Sequence, residues 1–183
     1  MNAPTCISFD DTKKNNFFLI GFMGSGKTHW GKIWADTNQL SFIDLDAVIE
    51  KAEGSTVAGI FETKGEDYFR VKEAAALRSC EEMSNCLIAC GGGTPCFFDN
   101  MAWMNTQGAT IYLESKPLEI LERVLLEKDT RPLLKKLNRA ELLFFIEQKL
   151  KEREPFYKQA KLIVSSAELD QDAFPAIISK IIG

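Results

Sequence analysis

The stretch Phe17–Lys32, FFLIGFMGSGKTHWGK, carries the reading on which the rest of the chain turns. A short run of aromatic and branched residues, FFLIG, has the composition of a buried strand. It passes into Gly21–Thr28, GFMGSGKT, which fits the phosphate-loop pattern G-x-x-x-x-G-K-[ST]. A helical pattern follows from residue 27 to 37. Strand, glycine-rich turn and helix are the context in which backbone N–H groups, including those of Gly24, Ser25 and Gly26, can curl round a phosphate. The helix N-terminus then favours the negative charge. Lys27 is placed to reach the β and γ phosphates of a nucleotide, and the Thr28 hydroxyl to ligate magnesium. Trp30, Ile33 and Trp34, at helical spacing, are read as core. His29, the only histidine, stands beside the phosphates, and without a second histidine no two-histidine metal site or histidine triad can form.

Working outward, four more apolar runs stand at residues 41–45 (SFIDL), 86–90 (CLIAC), 109–113 (ATIYL) and 161–165 (KLIVS). Helical patterns separate them at about 46–53, 66–83, 99–106, 116–128, 139–159 and 172–182. Strands alternating with helices predict a parallel α/β sheet wrapped by helices. No repeat or linker divides the 183 residues, so a single core with insertions is expected.

Composition narrows the partners. Twenty-two basic against 26 acidic residues give a formal net charge of −4, without the cationic field of a nucleic-acid or anionic-membrane binder. Five cysteines, Cys6, Cys80, Cys86, Cys90 and Cys96, contain no C-x-x-C pair, which argues against a zinc site or a disulfide framework and for a reducing cytoplasm. The N-terminal residues lack the order of a signal peptide, and the apolar runs are shorter than the ~20 residues of a membrane span. A soluble cytoplasmic protein is expected.

The opposite side of the phosphate is written in four further places. FIDLDAVIE sets Asp44 and Asp46 two residues apart at a strand end, where extended spacing turns both carboxylates to one side. One could hold magnesium through water while the other orients or deprotonates a hydroxyl; a helix N-cap aspartate with a solvated neighbour is the alternative. In FETKGEDYFRVKE, Arg70 follows Phe69 and has Glu73 at i+3; a guanidinium clasps a carboxylate bidentately, and Glu73 could pin it from behind. An ordinary surface pair is the alternative. The glycines Gly91, Gly92 and Gly93 after CLIAC permit close backbone approach to a ligand. EKDTRPLLKK supplies Arg131, a candidate for closing over the γ phosphate, and LKEREPFYKQA supplies Arg153; an ordinary solvated charge is the alternative for each.

Taken in order, GFMGSGKT, FIDLDAVIE, IFETKGEDYFRVKE, CGGGTP, RPLL and REPFY resemble the shikimate kinase family over most of the chain, from about residue 17 to 165. The resemblance implies the nucleoside monophosphate kinase fold, a five-stranded parallel sheet of order 2-3-1-4-5 forming one domain over 1–183, with a substrate-binding insertion at about 44–73 and a lid at about 123–138. It implies ATP and Mg2+, and shikimate as the acceptor phosphorylated at its 3-hydroxyl. By motif, Asp44 would contact magnesium through water and Asp46 would bind the shikimate hydroxyls and act as base. Arg70, Arg153 and the triple glycine would bind the carboxylate, Phe61 and Phe69 would line the pocket, and Glu73 would support Arg70. Arg131 would reach ATP from the lid, with Arg123 near the adenine. A monomer is expected. His29 and Trp30 depart from the family pattern, and the adenine-closing segment near Glu168–Asp170 aligns with no clear motif.

Overall fold

The computed structural model describes residues 15–126 and 137–182, with side chains described up to residue 180. Five parallel strands, β1 (Phe17–Ile20), β2 (Ser41–Asp44), β3 (Cys86–Ala89), β4 (Ala109–Glu114) and β5 (Leu162–Ser165), form a sheet in the order β2-β3-β1-β4-β5. Each expected strand is present, its bounds within one residue of the apolar run, and the order is the one the resemblance implied. Around the sheet lie α1 (Lys27–Thr37), α2 (Leu45–Glu53), α3 (Val57–Arg78), α4 (Asn100–Gln107), α5 (Pro117–Leu126), α6 (Arg139–Tyr157) and α7 (Ala173–Ile182).

The central strands β1, β3 and β4 are buried on both faces, which is why they read as continuous apolar runs, while the edge strands β2 and β5 are partly exposed. Phe18 and Ile20 of β1 point to one face and pack with Leu45, Ile60, Met104 and Ile146 of the helices there. Phe17 and Leu19 point to the other, against Trp34 of α1 and Phe174 of α7. Period-two alternation along a four-residue strand thus divides the core in two.

One helix differs from expectation. The pattern predicts a helix from about residue 66, but α3 begins at Val57, where the Thr56 hydroxyl accepts from the Gly59 N–H at 3.1 Å. Gly65 (φ 83°, ψ 171°) then breaks the helical conformation inside it. A left-handed glycine is the low-cost way to turn the chain, and it resets the helical phase so that the two parts show no single apolar stripe. The second part carries Phe69, Arg70 and Glu73 inward, with Glu66 at the surface.

The register places the site. Asp44 aligns with Ala89 in the β2–β3 pair, and Leu19 aligns with Ala89 in the β1–β3 pair. Three strands therefore end level, and the chains leaving them, through Gly21, Asp44 and Cys90, emerge at one carboxyl edge, where ligands of such sheets bind.

Candidate active site

The phosphate loop curls at three glycines with positive φ, Gly21 (143°), Gly24 (73°) and Gly26 (93°). Gly26 is the N-cap of α1 and offers no side-chain cap, so the first N–H groups of the helix stay available. The Lys27 ammonium donates to the Gly21 and Phe22 carbonyls at 2.9 and 2.8 Å, which lays it along the inside of the loop. Arg123 of α5 donates to the Gly24 carbonyl at 3.1 Å and so ties the start of the expected lid to the loop. The loop opens into a cavity of about 600 Å³ lined by residues that include Gly26, Lys27, Thr28, Asp44, Asp46, Gly91 and Arg123.

Across the cavity, the Thr28 hydroxyl donates to the Asp44 carboxylate at 2.9 Å. The two residues expected at magnesium are thus adjacent, a hydroxyl and a carboxylate oxygen suited to a hard cation. The other Asp44 oxygen accepts from the N–H groups of Asp46 and Ala47 at 3.1 and 3.3 Å, so Asp44 also caps α2. Here the structure corrects the sequence reading: Asp46 lies in the first turn of α2, not in extended chain, and helix initiation, not strand alternation, brings it to the cavity. Burial, then the charges of Asp44 and Glu73, push its carboxyl up to about 6 against the pull of Lys27. A carboxyl in that range suits proton transfer near neutrality.

The triple glycine organises the other wall through close approach. A Cβ on Gly91 would lie 2.8 Å from Glu73 Oε1 and 3.0 Å from Asp46 Oδ1. On Gly92 it would lie 3.2 Å from Arg153 Nη1, and on Gly93 2.6 Å from both terminal nitrogens of Arg70. Each glycine is thus the floor for a different chemical group: a carboxylate pair, one arginine, then the other.

Arg70 is buried, and its Nη1 donates to Glu73 at 2.9 Å while Nε and Nη2 donate to Glu66 at 3.1 and 2.8 Å. Its guanidinium lies 4.2 Å from the centre of the Phe97 ring and 5.2 and 5.6 Å from those of Phe69 and Phe61, a cationic centre walled by aromatic faces. Phe61 and Phe69 pack on each other at 4.7 Å. The surface-pair alternative for Arg70 and Glu73 fails, because Glu73 is fully buried and its second oxygen accepts from Thr94 at 2.6 Å. Arg153 of α6 lies 5.4 Å over the Phe22 ring and has no carboxylate at ion-pair distance among the described residues.

Sequence reasoning missed three contributors. Glu66 lies four residues before Arg70, a spacing that could have been read on a helix. Phe97 and Tyr157 carry no local signal; Phe97 reaches Arg70 through the turn after the glycines, and the Tyr157 hydroxyl donates to the Gly92 carbonyl across 65 residues. Trp34 is core as expected, whereas Trp30 is only half-buried and lines the cavity. His29 lines it too and is exposed, edge-on to Trp30 at 4.9 Å. Arg131 and most of the expected lid, residues 127–136, lie outside the described residues.

A parallel sheet of this order, with a phosphate loop facing a carboxylate and two arginines over its carboxyl edge, defines a P-loop phosphotransferase acting on a small anionic acceptor. The sequence model of shikimate kinase matches residues 23–182. A shikimate kinase of Phocaeicola vulgatus is 44% identical over 153 residues, covering 84% of this chain and 87% of that one. The crystal structure of shikimate kinase from Bacteroides thetaiotaomicron superposes with a TM-score of 0.84 at 39% identity, covering 91% of this chain and 96% of the other. That of the Acinetobacter baumannii shikimate kinase in complex with shikimate superposes with a TM-score of 0.76 at 32% identity, covering 94% and 92%. The chain belongs to the shikimate kinase family.

Proposed function

We propose that this chain transfers the γ-phosphoryl of ATP to the 3-hydroxyl of shikimate, giving 3-phosphoshikimate and ADP, a step toward chorismate and the aromatic amino acids. The observation that carries the assignment of its residues is the run Gly91–Gly93, against which Asp46, Arg153 and Arg70 are set in turn. That row offers a base at one end and two cations at the other, matching a ring with a hydroxyl and a carboxylate at opposite ends.

The residues present fit a triphosphate and a divalent cation: among the described residues no side chain caps the start of α1 at Gly26, and Thr28 and Asp44 are paired at 2.9 Å. ATP supplies the phosphoryl group, and Mg2+ the charge that offsets its oxygens. Lys27 neutralises the β and γ oxygens once it leaves the loop carbonyls it bonds here. Asp46 orients the acceptor hydroxyl and takes its proton. Arg70, immobilised by Glu73 and Glu66, clasps the carboxylate with Arg153. Phe61 and Phe69 wall the ring, while Arg123, the lid at about 123–138 and its Arg131 close over the nucleotide and exclude water. The substrate-binding segment is about 44–73.

The working unit is taken as a monomer, since every group named comes from one chain. The free thiols of Cys80, Cys86, Cys90 and Cys96 favour a reducing compartment, the cytoplasm. An ADP-release assay over shikimate, gluconate and nucleoside monophosphates tests the acceptor. Turnover with shikimate alone is expected; turnover with gluconate and none with shikimate would sink the reading.

A further inference from the structure

Trp30 is left over by the account of the acceptor, and its surroundings are unlike those of the neighbouring tryptophan on the same helix. Trp34 is fully buried, and its indole N–H donates to the Asp170 carbonyl at 2.7 Å. Trp30 stacks on it at 5.9 Å between ring centres and 26° between planes, but lies one turn nearer the phosphate loop and lines the cavity. Its pyrrole edge faces Gly26: a Cβ there would lie 3.0 Å from the ring Cδ1 and 3.2 Å from Nε1. The Trp30 N–H has no acceptor among the described residues, although no buried side-chain nitrogen or oxygen among them goes without a partner. The donor is therefore reached by solvent, on a ring that lines the cavity. His29 backs the ring edge-on at 4.9 Å, and Trp34 holds one face, so the indole is fixed in orientation before any ligand arrives.

We propose that Trp30 is a nucleotide-binding residue. It is held by Trp34 and His29 with its indole N–H at the outer end of the phosphate loop, donating to an oxygen at the nucleoside end of the nucleotide, on the α-phosphate or the ribose. This rests on ATP being the phosphoryl donor but not on which acceptor is used. An indole N–H is a donor only, and a rigid amphipathic ring presents it at little conformational cost. Polar contact with an anionic nucleotide would satisfy a group that the fold leaves open.

The test is a calorimetric titration of ADP with Mg2+ into the full chain and into Trp30→Phe, which keeps a ring but loses the donor, and Trp30→Leu. Losing one hydrogen bond to a charged or polar ligand is expected to weaken ADP about fivefold or more in Trp30→Phe. Binding of inorganic pyrophosphate, which lacks the nucleoside end, and the KM for shikimate should stay unchanged. Wild-type tryptophan emission should respond to ADP, and that response should fall in Trp30→Phe, where Trp34 and Trp103 remain. Comparing ADP with 2′-deoxy-ADP and 3′-deoxy-ADP in the wild type separates the two acceptors: an equal fivefold loss with either places the bond on a ribose hydroxyl, and no loss with both places it on the α-phosphate. ADP affinity unchanged in both variants would overturn the proposal. So would a parallel loss of ADP, pyrophosphate and shikimate affinity with a lowered melting midpoint, which would make Trp30 packing alone. A wild-type protein that binds ADP but does not phosphorylate shikimate would defeat the acceptor reading and leave the Trp30 result standing.

Discussion

Glu73 accepts from Arg70 Nη1 at 2.9 Å, with Glu73 at 0% and Arg70 at 7% exposure. At that depth the pair is a positioning device: the carboxylate fixes one side of the guanidinium fork, and Thr94 fixes the carboxylate at 2.6 Å. Removing Glu73 strips Arg70 of its buried partner and leaves only the exposed Glu66 to pair it, so the cost falls below the about 3–5 kcal/mol of a wholly orphaned buried charge. Glu73→Ala should therefore lower the melting midpoint strongly and raise the KM for shikimate. Arg70→Lys keeps the charge but not the fork, and should raise the KM for shikimate at least tenfold while ADP affinity holds. Thermal melts and steady-state kinetics on both variants check this. Unchanged shikimate KM in Arg70→Lys would remove Arg70 from the acceptor site.

With Asp46 as the proposed base, activity and stability should depend on pH in opposite senses. Its carboxyl is raised from an ordinary value near 3.8 to about 6, chiefly by burial and next by Asp44. The folded state thus holds this proton more tightly than the unfolded chain does. Below about pH 4 the group is protonated in both states and costs nothing. The cost of ionising it grows between about 4 and 6 and is complete above. Two pH units correspond to about 3 kcal/mol. Asp46→Asn should then be more stable than wild type at pH 7.5, by up to that amount, with the difference gone near pH 4. The same variant should lose most turnover yet bind ADP. In the wild type, kcat/KM for shikimate should fall below about pH 6 as the base is protonated. Denaturant melts at both pH values, and near-normal turnover in Asp46→Asn as the adverse outcome, decide it.

Gly93 lies against the face of Arg70. A methyl there would meet both terminal nitrogens at 2.6 Å, closer than any Cβ contact tolerates, so Gly93→Ala must shift the guanidinium. The expected result is a rise of tenfold or more in shikimate KM with little change for ATP, since the three atoms nearest to a Cβ there all belong to Arg70. Gly92→Ala, whose methyl would come within 3.2 Å of Arg153 and 3.4 Å of the Met23 N–H nitrogen, should disturb both substrates. A crystal structure of Gly93→Ala with Arg70 unmoved would contradict the steric account.

The Thr28–Asp44 contact predicts a split between stability and metal dependence. Asp44→Ala removes the N-cap of α2, worth about 1 kcal/mol, and should also raise the Mg2+ concentration needed for half-maximal rate. Thr28→Val keeps the cap and should change only the Mg2+ requirement. Rates titrated with Mg2+ at fixed ATP test it; identical curves for Thr28→Val and wild type would exclude Thr28 from the metal site.

How much of this was legible beforehand divides along physical lines. The strands were legible because each is a short apolar run, the central three buried on both faces, and the helices because α2, α5 and α7 keep one periodic stripe. The helical start at Val57 was hidden because Gly65 resets the phase. Asp46 was expected at the cavity for a reason that proved wrong, since its placement comes from the cap of α2. Phe97 and Tyr157 were missed because no spacing in the chain links them to Arg70 or Gly92.

By itself, the sequence determined the phosphate loop, the parallel sheet and the roster of acids and arginines, because glycine, periodicity and charge act locally and leave their mark within a few residues. Only the tertiary structure decided that Arg70 and Arg153, 83 positions apart, share one glycine floor, that Glu73 is buried rather than a surface partner, and that Trp30, half-buried against the core, also lines the cavity. Those depend on which strands end level and which helix crosses them, and burial, the quantity that sets both the Asp46 proton and the strength of the Arg70 pair, exists only once the chain has closed around them.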